Sequence, residues 1–128
     1  MSIQIELEKN GKGVVFICSG IVTAEELIDA TDTIISNSNI HYQICDFSNA
    51  KDIRIDLQQM HKIAIQDNSY PMDSKLSHIV FVGDISKWKI LYESYEQMSK
   101  EWIGRRTGFT TAVFDNIEEA KKWLSKNI

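Results

Sequence analysis

Helix-start signals alternate with short apolar runs along most of this chain, and that alternation constrains the fold more than any other feature. Three helix starts carry a capping pair, in which a side-chain oxygen accepts a free amide of the first turn. These pairs are Thr23 with Glu26, Asp56 with Gln59, and Asn116 with Glu119. Apolar runs at 14–18, 41–47, 77–84 and 110–115 separate the helical stretches 23–38, 56–67, 86–104 and 116–127 and predict strands.

The N-terminal residues predict an additional strand before this alternation begins. Ile3, Ile5 and Leu7 alternate with polar residues, which is the period of a strand with one solvated face. Asn10-Gly11 favours a tight hairpin turn into the next strand. The resulting order, β-β-α-β-α-β-α-β-α, predicts an α/β fold over residues 1–128 as a single domain. It has a mixed, mostly parallel sheet of about five strands, an N-terminal antiparallel hairpin and about four helices.

Composition limits the classes of function. The chain has 128 residues, 43% hydrophobic and 25% charged, with a net charge of -4, the balance of a soluble globular protein. An acidic chain is a poor nucleic-acid binder, and the basic pair Arg105-Arg106 is better explained as cations at a helix C-terminus. No signal peptide or membrane-spanning run is recognised, and Cys18 and Cys45, each within a predicted strand, suggest a reducing compartment. We therefore expect a cytoplasmic protein that does not span a membrane.

Three connections should meet at the carboxyl ends of the strands, where open α/β sheets bind ligands. They are 19–23, 46–56 and 83–86, and they supply a candidate binding rim formed by Asp46, Ser48, Asp56, Asp84 and Ser86. Free helix-start amides there favour a phosphate or carboxylate. The alternative is that Thr23, Asp56 and Ser86 serve only as helix caps. Asp46 ends a buried strand and needs partners or water.

No catalytic or metal-binding constellation is recognised in the sequence. His41, His61 and His78 are far apart and lack metal-ligand spacing. Mid-strand positions make Cys18 and Cys45 poor nucleophiles. Phosphate-binding glycine loops are absent from the sequence. We therefore expect no metal, no cofactor and no enzymatic activity; an enzyme using Asp46 or Asp84 as acid or base is the least favoured hypothesis.

An aromatic stripe lies along the long helix predicted over 86–103. Trp88, Tyr92, Tyr95 and Trp102 share one face at helical spacing. Such a stripe is more often plain core, with the tyrosine hydroxyls reaching water at its edge. The alternative is an apolar pocket, walled by this helix, for a small apolar or lipid-like ligand.

Four local patterns resemble the SpoIIAA-like branch of the STAS superfamily, often described as STAS/SEC14 domain proteins. They are "GIVTAEEL", "ICDFSNAKDI", "SHIVFVG" and "TAVFDNIEEAKKWL", and together they span nearly the whole chain. The resemblance implies the same fold and a regulatory or protein-interaction module with a protein partner. The carrier of a small apolar ligand is the alternative, and a homodimer through an edge-forming first strand is compatible with either.

The resemblance also implies a phosphorylated serine at the start of the helix after the third strand, as in classical anti-sigma-factor antagonists. This chain departs from that pattern, because Ile55 and Asp56 stand where the hydroxyl is expected and Ser48 lies several residues earlier. A permanent acid at position 56 would at most imitate the phosphorylated state.

Overall fold

The computed structural model describes residues 2–71, 73–102 and 109–128. The predicted helix end at Gly104, the pair Arg105-Arg106 and the side chain of Trp102 lie outside the described residues. The elements are, in chain order, β1 (Ile3–Leu7), β2 (Gly13–Thr23), α1 (Ala24–Ile34), β3 (Tyr42–Arg54), α2 (Leu57–Asp67), β4 (His78–Val82), α3 (Ile85–Trp102), β5 (Thr110–Phe114) and α4 (Ile117–Asn127).

The five strands form one sheet in the order β1-β2-β3-β4-β5. β1 pairs antiparallel with β2, and each later strand pairs in parallel with its predecessor. A helix separates each parallel pair, as parallel crossover connections require. The predicted α/β fold, with its antiparallel N-terminal hairpin and mostly parallel sheet, is therefore confirmed.

The sheet is covered on both faces, and each face has its own hydrophobic core. Phe16 and Ile79 belong to the larger core, which α1, α2 and α3 share with one face of the sheet. Ile44 and Val80 belong to the smaller core, closed by Ala120 and other residues of α4. Since side chains of a strand alternate between faces, the central strands need apolar residues at successive positions. That requirement explains the continuous apolar runs in the sequence.

The sequence prediction is wrong about the two connections at 19–23 and 46–56, because both are largely strand. β2 continues to Thr23 and β3 to Arg54, and they pair in parallel from Ser19 with Asn49 to Thr23 with Arg54. β4 ends at Val82 opposite Asp46, so these paired segments of β2 and β3 project beyond the end of β4. We call the paired segments 19–23 and 49–54 the arm. The register shifts once at the base of the arm, between Ile17 and Ser19, and once within it, between Gly20 and Ile21, since β3 uses more residues than β2.

β1 is an edge strand, and its apolar side chains differ sharply in exposure. Ile3 is buried, whereas Ile5 is 38% and Leu7 is 67% exposed. The alternation predicts the strand correctly but overstates its burial. The helices on that face cover Ile3 and leave the side chains nearer the hairpin open to solvent.

The hairpin contains a close approach that only glycine permits. Gly13 is the register partner of Tyr42, and a Cβ atom at Gly13 would overlap the Tyr42 ring. Asn10 Nδ2 donates to the Tyr42 hydroxyl at 3.0 Å, and that hydroxyl donates to Glu8 Oε1 at 3.2 Å. The ring is therefore held from its far end and cannot move aside freely.

We expect Gly13→Ala to destabilise the protein by about 1–3 kcal/mol, because a methyl group must be forced into an occupied space. Urea denaturation gives the free energy of unfolding. Lys12→Ala, at an exposed neighbouring position, is the matched control and should change it by less than about 0.5 kcal/mol. Equal stability of the two variants would show that the ring yields at no cost.

Candidate functional site

Asp46 stands where the four-stranded parallel part of the sheet gives way to the arm. It is the last β3 residue paired with β4, opposite Val82. Its side chain is half-buried, and Oδ1 accepts the backbone amide of Ser48 at 2.9 Å. This local bond lies where the register between β2 and β3 first shifts. The carboxylate therefore stabilises an irregular point in β3.

Asp84 and Ser86 form one hydrogen-bonded cap at the start of α3. Asp84 Oδ1 accepts the Ser86 hydroxyl at 2.7 Å, the Ser86 amide at 3.1 Å and the Lys87 amide at 3.3 Å. The prediction that Ser86 caps the helix is wrong, because the preceding aspartate reaches the free amides first. The hydrogen bond from the Ser86 hydroxyl, followed by that from the Lys87 amide, lowers the pKa of Asp84. Asp84 is thus anionic at neutral pH.

Asp56 lies at the far end of the arm, at the N-terminus of α2. Its carboxylate accepts the Gln59 amide at 2.8 Å, and the Gln59 side chain accepts the Asp56 amide at 3.0 Å. This is the capping box that the sequence predicts. The arm separates Asp56 from Asp46 by about 20 Å along the strand, at about 3.3 Å per residue of β2. The five predicted rim residues therefore do not line one crevice.

Ser48 is exposed on β3, between these two ends. The nearby edge of β3 is linked to α3 by Lys87, whose ammonium donates to the Lys51 carbonyl oxygen at 3.3 Å and lies 4.7 Å from the Trp88 ring centroid. Lys51, Arg54 and Asp56 are all exposed. The arm and the start of α2 thus present backbone, hydroxyl and charged groups to solvent.

The aromatic stripe of α3 is mostly core, as the more frequent alternative predicts. Trp88, Tyr92 and Tyr95 are 8%, 7% and 2% exposed. The Phe81 ring packs against Tyr92 at a centroid distance of 5.6 Å and against Tyr95 at 5.1 Å. The prediction that the tyrosine hydroxyls reach water is wrong for both residues, because the Tyr95 hydroxyl is bonded inside the protein and the Tyr92 hydroxyl is buried.

An apolar cavity of about 40 Å³ lies between the arm, α2 and α3. Its walls include Ile53 and Ile55 near the arm, Met60 on α2, and Leu91 and Tyr92 on α3. A cavity needs roughly 10–15 Å³ for one water-sized centre. The space is therefore much smaller than the roughly 300–1,000 Å³ typical of sites for drug-sized ligands.

The Tyr92 hydroxyl is a buried polar atom without a hydrogen-bond partner within the described part of the chain. Gly83 lets it approach the end of β4, because a Cβ atom there would lie 3.3 Å from the hydroxyl oxygen. Burial raises the pKa of Tyr92, and the nearby Cys45, Asp84 and Asp46 raise it further. Tyr92 is therefore a neutral phenol beneath the carboxyl ends of β3 and β4.

A buried carboxylic acid that sequence analysis missed joins α2 to α3. The Tyr95 hydroxyl donates to Asp67 Oδ2 at 2.6 Å, and both side chains are buried. Burial raises the pKa of Asp67 to about 7, although the Tyr95 bond works in the opposite direction. The available sequence signal was an acid in the last turn of a helix, where the dipole disfavours negative charge.

Cys18 and Cys45 are buried free thiols. Burial, with Asp46 and Glu26 as smaller causes, raises the pKa of Cys18 to about 12. Burial also raises the pKa of Cys45 well above its usual value. A thiol is a nucleophile only as the thiolate, so neither cysteine has the environment of a reactive group.

Residues 2–71, 73–102 and 109–128 contain no group of three or more His, Cys, Asp or Glu side chains that could hold a metal ion. No helix in the same ranges is long and apolar enough to cross a membrane.

The buried Asp67 predicts a pH-dependent stability. Its pKa is higher in the folded protein than the roughly 3.9 of an unfolded chain, so the folded state binds more protons between these values. We expect the contribution of Asp67 to the free energy of unfolding to be complete below about pH 4. It is lost as the pH rises to about 7, and the loss is on the order of a few kcal/mol.

Asp67→Asn should remove this slope from the free energy of unfolding, measured by urea denaturation between pH 4 and pH 8. Tyr95→Phe should move the loss to higher pH, because it removes the hydrogen bond that favours the carboxylate. Tyr70→Phe is the control, since the Tyr70 hydroxyl donates to Gln43 Oε1 at 3.1 Å. A slope that survives in Asp67→Asn would assign it to another group.

Two solved structures share this architecture over nearly the full chain. One is that of the anti-sigma factor antagonist SpoIIAA in its unphosphorylated form, with a TM-score of 0.62 and 12% identity, covering 98% of this chain and 99% of that chain. The other is an uncharacterized protein of the DUF3478 family from Shewanella loihica PV-4, with a SpoIIAA-like fold. It has a TM-score of 0.58 and 13% identity, covering 95% of this chain and 91% of that chain.

No protein-family model matches the chain, and no curated protein sequence is significantly similar to it. The strand order, the antiparallel hairpin and the two structural likenesses agree on one architecture. The chain therefore has a SpoIIAA-like fold, as its sequence motifs predict.

Proposed function

We propose that this protein is a non-enzymatic regulatory module that binds a protein partner in the cytoplasm through the arm and the N-terminus of α2. The observation that carries the proposal is the arm itself, a two-stranded projection ending at an exposed acidic helix cap. Similarity to an anti-sigma factor antagonist supports the class of function. The two free cysteines suit a reducing compartment.

The arm is suited to protein recognition because it combines ordered backbone with exposed charge. Val22 and Ile53 belong to the arm, and their buried side chains anchor its inner face to the larger core. Its outer side carries the exposed Lys51 and Arg54, and Arg54 Nε lies 3.1 Å from Asp52 Oδ2. A partner that meets these groups would find them already positioned, which lowers the entropy cost of binding.

The sequence resemblance puts Asp56 close to where classical anti-sigma-factor antagonists carry a phosphorylated serine, and its carboxylate would supply a permanent negative charge there. One carboxylate oxygen accepts the Gln59 amide, while the side chain as a whole stays exposed. We infer that the partner binds this negative charge directly, with no phosphorylation step.

Asp56→Asn separates the two roles of this residue, since asparagine is an equally good N-cap but carries no charge. We expect the melting temperature to stay within experimental error of wild type and partner binding to weaken. Asp56→Ala removes both the helix cap and the charge, so it should weaken partner binding and also lower the stability by about 1 kcal/mol. If Asp56→Asn binds the partner as well as wild type does, the negative charge of Asp56 is not needed for binding.

The partner is identified with immobilised protein in an extract of the source organism, quantified by mass spectrometry. The double variant Lys51→Glu/Arg54→Glu should lose the proteins that wild type retains. Lys122→Glu/Lys126→Glu, which reverses two exposed charges on α4, is the matched control and should retain them. Equal retention by both double variants would place the interface elsewhere, and retention of nothing by wild type would contradict the proposal.

A second candidate function is binding of a small apolar ligand, favoured by the cavity between the arm, α2 and α3. A lipid chain would require the arm or Leu91 to move, because about 40 Å³ cannot hold it. Titration with octanoate, followed by methyl NMR, tests this function. Saturable shifts at Ile53 and Ile63 with none at the exposed Ile90 would support it, and unchanged spectra would exclude octanoate-like ligands.

A further inference from the structure

The outer edge of β1 has no strand neighbour within the described residues, and two residues of that strand, Ile5 and Leu7, carry exposed apolar side chains. The Glu8 amide donates to the Gly13 carbonyl, and the Ser19 amide donates to the Ser2 carbonyl, both at 2.8 Å. In an antiparallel ladder the residues that bond inward alternate with those that bond outward. Even-numbered residues of β1 therefore bond to β2, while Ile3, Ile5 and Leu7 turn their amides and carbonyls away from the sheet.

The side chains of β1 follow the same alternation. Ile5 and Leu7 are exposed on the face covered by α1, α2 and α3. Gln4 and Glu6 lie on the opposite face, where Gln4 Nε2 donates to Glu6 Oε1 at 3.3 Å. One edge thus offers free hydrogen-bonding groups, an apolar row and an amide next to a carboxylate.

We propose that β1 pairs with β1 of a second copy of this chain, antiparallel across a two-fold axis at Ile5. Ile5 then lies opposite its own equivalent, and Ile3 lies opposite Leu7. All three outward-facing residues of each copy exchange backbone hydrogen bonds. On the other face, Gln4 of each copy lies opposite Glu6 of the other, so two amide groups meet two carboxylates.

Charge selects this register over the neighbouring one. Centring the axis on Glu6 would place the two Glu6 carboxylates directly opposite each other, which is destabilising. The axis at Ile5 avoids that contact and buries the exposed isoleucine and leucine of both copies. The pairing through β1 is closed, because each copy uses its β1 edge once and the two-fold axis leaves no β1 edge for a third copy.

The register is tested with Ile5→Cys under mild oxidation by copper-phenanthroline. Directly opposed residues of a hydrogen-bonded antiparallel pair have Cα atoms about 5.5 Å apart, within the range that a disulfide spans. Leu7→Cys is the matched control, because its two equivalents would lie roughly 13 Å apart along the strands. The native cysteines are buried.

A covalent dimer formed by Ile5→Cys and not by Leu7→Cys supports the proposal, whereas equal yields or no dimer overturn it. Sedimentation equilibrium gives the second measurement. Gln4→Lys should tighten the wild-type dimer by about 2- to 30-fold and Gln4→Glu should weaken it similarly, from two pairs of about 0.2–1 kcal/mol each. A wild-type protein that stays monomeric at 1 mM overturns the proposal. The β1 edge would then be a site for a strand from another protein. Neither readout depends on a partner at the arm.

Discussion

The parallel pairing of β2 with β3 is the interaction on which the rest of the structure depends. It begins at Gly13 with Tyr42 and extends to Thr23 with Arg54. The two strands place Phe16 and Cys45 on one face and Val15 and Ile44 on the other, so they contribute to both cores. The hairpin strand β1 attaches to one side of this pair, and β4 attaches to the other. Every candidate site described above lies on it or beside it.

The order of elements could be predicted because its signals are local. The side chains of Thr23 and Asp56 accept hydrogen bonds from the amides three residues ahead, and a capping pair of that kind can be recognised in a sequence. Apolar runs around Phe16 and Ile79 indicate strands that are covered on both faces. These signals do not depend on what the rest of the chain does, and the topology rules for α/β proteins supply the remaining step.

The arm could not be predicted, because its sequence has the composition of a loop. Asn49, Lys51 and Asp52 are poor strand formers, and the two register shifts break the alternation of period two. Only Val22 and Ile53 mark the buried face. The Asp67–Tyr95 bond escaped prediction for another reason, since it joins residues 28 positions apart that meet only after the helices pack. At the start of α3, the sequence predicted Ser86 as the cap, whereas the carboxylate of Asp84 accepts the free amides.

The arm also implies a gradient of local stability within a single sheet. Near Ile44, β3 has strand neighbours on both sides, whereas beyond Asp46 β2 is its only strand neighbour among the residues that the structure describes. Opening the outer end exposes two buried apolar side chains, Val22 and Ile53, which is far fewer than opening the central strands exposes. Such a segment can separate and re-form while the central strands stay closed, as subglobal unfolding units do. Amide hydrogens in the arm would then exchange with solvent through these partial openings, and those of Ile44 and Val80 only through global unfolding.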